Sequence, residues 1–131
     1  QEYGDVILPA QPQLQAEVHG MHFMVPKTAA DLMTVGKQLK NCVGSYRGRV
    51  MQGQTAIVVV TDDDMNPVAC LELATGEKIR KGQPKFNHLV QAKLFANTQL
   101  KQNNKIHSTV MQWANQLQIE PHTIDVDATV V

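Results

Sequence analysis

The chain has 131 residues, 43% apolar and 18% charged, with twelve basic side chains balancing twelve acidic ones. That length suits one domain around a single core, and the composition excludes a disordered chain. No apolar run approaches the roughly 18 residues that cross a bilayer, and Val6-Ile7-Leu8 lacks both the length and the basic flank of a signal peptide.

Residues 1–17 hold that one apolar run, then Pro9, Pro12 and several glutamines. They read as an arm or edge strand leading into a linker, ahead of one domain over 18–131. The first residue is Gln1, which suggests a piece of a longer polypeptide. Val18 to Val25 reads as a strand ending at Pro26, with Met21, Phe23 and Val25 on one face. His19 and His22 then fall on opposite faces, so they make no metal pair, and no metal or cofactor is expected.

Thr28 and Asp31 form a variant capping box that starts a helix striped by Leu32, Val35, Gly36 and Leu39. Gly36 inside that stripe implies a close packing contact, since glycine costs about 1 kcal/mol of helix propensity against alanine. Asn41 can cap a second helix with Val43, Tyr46, Val50 and Met51 on its apolar face, ended by Gly53. Cys42 then lies in a first turn, where backbone N–H groups and Arg47 favour a thiolate. Burial as a small hydrophobe is the commoner role of a lone cysteine and is the expectation here.

Thr55 to Thr61 is the strongest strand signal and reads as the central strand, buried on both faces. Asp62 to Pro67 makes an exposed hairpin tip, and Val68 to Leu73 returns as a second strand. Thr75-Gly76 turns into a third over 77–81. Alternation puts Leu71 and Leu73 on one face and Cys70, Glu72 and Ala74 on the other, with Glu72 read as solvent-facing. Asn87 can cap a helix from His88 to about Gln99, with Leu89, Ala92, Phe95, Ala96 and Leu100 as its stripe. A last helix over 105–118 carries Ile106, Val110, Trp113, Ala114 and Leu117, and residues 123–131 make a short strand or tail. The expected fold is α+β: a three-stranded antiparallel meander with two helices before it and two after it, in two layers.

Leu-Lys-Asn-Cys-Val-Gly-Ser-Tyr at 39–46, then Gly53, the strand from Ala56 to Val60, Pro67 to Leu73, and Asn87 before a long helix containing Trp113 resemble the PcfJ-like family. The resemblance runs from about Phe23 to Leu117. It implies a module of bacterial mobile elements and conjugative plasmids, often carried toward the end of a longer protein, and marks Cys42, Tyr46, Gly53, Glu72 and Asn87. Where the family tends to have Gln and then Gly ahead of the Asn, this chain has Lys81 and Pro84. No biochemical activity comes with the family.

Charge points to one function. Between Lys78 and Lys105 there are seven Lys or Arg and no carboxylate, and Lys37, Lys40, Arg47 and Arg49 form a second basic run. A face made of Arg47, Arg49, Lys78, Arg80, Lys81 and Lys85 would bind nucleic acid or a partner protein, and that binding module is the leading expectation. The alternative is a thiol-dependent enzyme with Cys42 as nucleophile, His88 as base, and Glu72 or Asn87 orienting it. Two cysteines without metal-ligand spacing fit free thiols in a reducing, cytoplasmic compartment.

Overall fold

The computed structural model describes residues 6–126. One six-stranded mixed sheet organises them, with strands side by side in chain order: β1 (Ala16–Val18), β2 (Met21–Met24), β3 (Thr55–Thr61), β4 (Pro67–Ala74), β5 (His88–Lys93) and β6 (Glu120–Pro121). Neighbours are antiparallel except β5 and β6, which run parallel. The α-helices are α1 (Ala29–Leu39), α2 (Arg47–Met51) and α3 (Asn104–Leu117).

This corrects the expected three-stranded, two-layer meander. The segment read as one strand over 18–25 is a hairpin, because His19 and Gly20 both take positive φ (52° and 76°) and reverse the chain in two residues. Residues 77–81 form no strand, and Asn87 and His88 start a strand rather than a helix. The false helical stripe has a physical origin in β5. There Glu72 faces Gln91 and Leu73 faces Leu89, which leaves Val90 as an extra residue in a bulge. The bulge turns Leu89 and Ala92, three apart, to the same buried face. Phe95, the next position of that stripe, is exposed, and Ala96 and Asn97 take left-handed φ of 56° and 61°.

Helices cover both faces. On one, Val110, Trp113 and Ala114 of α3 pack on Phe23, Val58, Val60, Leu71, Leu73 and Leu89. Trp113 is fully buried, stacks on Phe23 at 4.8 Å and donates its indole N–H to the Leu14 carbonyl at 3.0 Å. Leu14 and Leu8 are buried, so the segment expected to be a loose arm contributes to the core. On the other face, Leu32 and Leu39 of α1 pack with Val43 and Val50 on Ile57, Val59 and Cys70.

The caps of α1 and α3 are side-chain bonds. Thr28 Oγ1 accepts from the Asp31 N–H at 3.1 Å, and Asn103 Oδ1 accepts from the Ile106 N–H at 2.9 Å. The central strand is buried along its whole length, and the hairpin tip is organised by Asp62, whose Oδ1 accepts from the N–H groups of Asp64 and Asn66. Among the described residues no helix is long and apolar enough to cross a membrane.

Candidate functional site

Beyond α1 the chain reverses at Lys40, in the left-handed region at φ 52°, and enters a 3-10 turn over Val43–Tyr46 that runs into α2. Each position of Cys-Val-Gly-Ser-Tyr has its own task here. Val43 enters the core. Gly44 meets α1 backbone to backbone, since a Cβ there would sit 3.3 Å from the Met33 Cα. Ser45 Oγ donates to the Cys42 carbonyl at 2.7 Å, and Tyr46 turns toward the sheet. Gly36 is the matching contact on α1: a Cβ on it would lie 3.3 Å from the Gly44 nitrogen.

Cys42 is exposed, which corrects the expectation of a buried thiol. Val43 takes the core position, and the residue before it is left on the rim. Nor does Cys42 sit in the first turn of an α-helix. Asn41 Oδ1 accepts from the Val43 N–H two residues on, at 2.9 Å, and a four-residue 3-10 turn follows.

Behind Cys42 lies a pocket of ≈ 340 Å³, walled by Asn41, Tyr46, Cys70, Glu72, Gln91, Lys93 and Asn97 over Ile57 and Leu71. The sheet supplies its floor through alternate cross-strand pairs, Cys70 opposite Lys93 and Glu72 opposite Gln91. Glu72 does not face solvent. Its side chain is 13% exposed, accepts from the Thr55 hydroxyl at 2.6 Å, and pairs with Arg49 at 3.3 Å. Arg49 in turn lies 4.0 Å over the Tyr46 ring, and the Tyr46 hydroxyl donates to Gln91 Oε1 at 3.3 Å. Lys93 reaches away to the buried carboxylate of Asp125 at 2.8 Å. Burial, and then the nearby Glu72 carboxylate, push the Cys70 thiol up to about 12, so it is protonated at neutral pH. A second, shallower groove shares Asn41 and Cys42 and opens over Gly44 and Gly48.

The four residues expected to form a thiol enzyme are divided by this geometry. Cys42 and Glu72 line the pocket, whereas His88 and Asn87 do not. His88 lies two cross-strand pairs further along, opposite Ala74, with its ring stacked on His122 at 4.1 Å. Asn87 is fully buried and holds the 76–87 loop: its side chain accepts from the Gly76 N–H and donates to Lys78 O and Gln83 Oε1. Gly53, the remaining marked position, takes φ 74° just after α2.

The six basic residues are not a uniform cationic face either. Arg49 pairs with Glu72 and Arg80 with Glu120 at 2.7 Å, while Lys78, Lys81 and Lys85 are exposed. Arg47 is half-buried beside the groove at Cys42.

Sequence reasoning missed Gln91, Lys93 and Asn97. A Gln ahead of an Asn, without the Gly between them, stands ten residues beyond Lys81 and Asn87 as Gln91 and Asn97, and both line the pocket. Reading β5 as a strand would have revealed it, because Gln91 then falls on the face of Glu72.

Fold and site together define a single-sheet α+β domain with a polar pocket at the junction of a 3-10 turn and the sheet. Residues 8–105 match the family described as PcfJ-like protein, and the chain belongs to that family. A Listeria innocua protein designated Lin1253/Lin1744, described as uncharacterized, is 41% identical over 51 residues. The matched stretch is 37% of this chain and 11% of that protein, so the similarity covers a small part of the relative's length. No solved structure matches the chain.

Proposed function

We propose that this domain is a binding module whose site is the pocket at Cys42, and that it takes up a small, uncharged polar group. One observation carries the reading: Cys42 and Tyr46 from the 3-10 turn and Glu72 from β4, all marked by the family resemblance, line one pocket. The charge balance supports a neutral ligand. Glu72 is compensated by Arg49 and Lys93 by Asp125, and the other polar walls are amides, a phenol and thiols. No histidine lines the pocket, so a Cys–His nucleophile pair finds no support there. Work within a mobile-element protein of a conjugative plasmid is part of the same proposal and rests on the family resemblance.

The test is alkylation of Cys42 by iodoacetamide on the folded protein, in the wild type and in Tyr46→Phe and Gln91→Ala. A site built around the thiol predicts rates that differ several-fold from those of glutathione and shift with either substitution. Labelling at the glutathione rate, indifferent to both, would count decisively against it.

A second reading, contact with nucleic acid through the basic residues, is favoured by one observation. The Lys85 ammonium lies 3.7 Å from where a Gly53 Cβ would be, which draws the loop over 78–85 toward α2 and its arginines. Phosphate contact needs only charge and reach. Charge reversal at Lys78 and Lys81 should then abolish salt-sensitive DNA or RNA binding, and unchanged binding would remove this reading.

A further inference from the structure

At the opposite end of β5 from Lys93, three ligand-type side chains that take no part in the Cys42 pocket come together. We propose that His88, Glu120 and His122 bind one divalent transition-metal ion of the zinc class. One ring nitrogen from each histidine and one carboxylate oxygen lie within 4.8 Å of one another. In a tetrahedral zinc site with bonds of about 2.0–2.1 Å the ligand atoms are a little over 3 Å apart, so the donors are near enough for one ion once the rings are re-aimed. Two imidazoles and one carboxylate leave a fourth position for water. This nitrogen-rich donor set selects zinc-class ions over calcium or magnesium, which prefer all-oxygen ligation.

The backbone assembles the cluster. Parallel pairing of β5 and β6 puts His88 beside Glu120, and alternation returns His122 to the same side as Glu120. Both segments are anchored, with the Glu120 N–H donating to Asn87 O and the His122 N–H to Leu89 O, each at 2.8 Å. The position of the His88 ring depends on Gly76, where a Cβ would stand 2.4 Å from ring atoms, and the Asn87 side chain holds that glycine.

Glu120 is already oriented as a ligand. Its Oε2 accepts from Arg80 at 2.7 Å and Gln83 at 3.2 Å, while Oε1 faces His122 Nε2 at 3.8 Å. Outer partners of this kind fix a metal-binding carboxylate and leave one oxygen for the ion. One movement is required. A metal lies in the plane of each imidazole it binds, and two rings stacked at 4.1 Å and 21° share no such point nearby. His122, 48% exposed, can turn, whereas His88 is held over Gly76.

Glu120 and His122 lie beyond the segment that matches the family, whereas His88 lies within it. His19 and His22 take no part: His19 sits against Thr109, and His22 against Asp63 and Glu17.

Calorimetric titration of the full chain with Zn²⁺ at neutral pH should show one ion bound per molecule. His122→Gln, a change at an exposed side chain, should weaken binding at least tenfold while circular dichroism and the metal-free melting temperature stay unchanged. Gly76→Ala should weaken it too, by displacing His88. Cobalt substitution separates this site from the thiols, because ligation by nitrogen and oxygen gives no thiolate charge-transfer band. No zinc uptake by the wild type, equal uptake by His122→Gln, or a thiolate band pointing to Cys42 would overturn the proposal.

Discussion

The two faces of the sheet are built from the same strands and differ in what covers them. Phe23, Val58, Val60, Leu71 and Leu73 face Trp113 of α3, and that side is closed by apolar packing. Ile57, Val59 and Cys70, one residue out of phase, face α1 and Val43, but the apolar layer gives way at Glu72, Gln91 and Lys93. A period of two lets one strand serve both purposes. The dry side carries stability, and the interrupted side keeps polar groups around an open pocket. The relation predicts unequal costs for substitutions on the two sides.

The largest loss should come from Trp113→Ala. It empties the centre of the dry face, removes the Phe23 stack and leaves the Leu14 carbonyl without its indole donor. Removal of a buried aromatic of this size costs about 3–5 kcal/mol, which a shift of the urea midpoint would report. A loss near 1 kcal/mol would mean that the two faces do not divide the work as described.

Cys70 gives an intermediate effect, visible only at high pH. Its thiol is pushed from 9.0 to about 12 by burial and then by Glu72. The folded protein therefore keeps a proton that the unfolded chain loses above about pH 9. Between those values the unfolded state binds fewer protons, so stability falls as pH rises, by up to about 1.4 kcal/mol per pH unit. Below pH 9 this group adds no slope. Comparing urea midpoints of the wild type and Cys70→Ala from pH 8 to 11 should show the added slope in the wild type alone.

The dry face was largely legible in the sequence, the pocket less so. The Thr55–Thr61 strand, the Thr28 cap, the stripe of α3 and the parity of Leu71 and Leu73 against Cys70 and Glu72 follow from periodicity and capping. These patterns are local, and packing reinforces them. β5 was hidden because the bulge at Val90 gives a strand the i, i+3 spacing of a helix, and Gln91 and Asn97 were hidden with it. The loop over 75–87 has no periodic signal, since its conformation is set by one long-range residue, the buried Asn87. The exposure of Cys42 depends on the left-handed reversal at Lys40, a position that carries no glycine to announce it. The expectation for residues 127–131 falls outside the described residues.

The smallest stability effect should come from Glu72, the carboxylate in the pocket wall. Glu72→Gln keeps the side chain's shape, and the Thr55 hydroxyl can still donate to the amide oxygen, so the main loss is the pairing with Arg49. Arg49 is 48% exposed, and half-exposed ion pairs contribute about 0.2–1 kcal/mol after screening. The urea midpoint should move by no more than that, while the alkylation rate of Cys42 across the pocket should change several-fold. A carboxylate that costs little to neutralise yet governs a neighbouring thiol is placed for a ligand rather than for the fold. A stability loss above about 2 kcal/mol with an unchanged thiol would reverse that assignment and make Glu72 a structural strut between β3, β4 and α2.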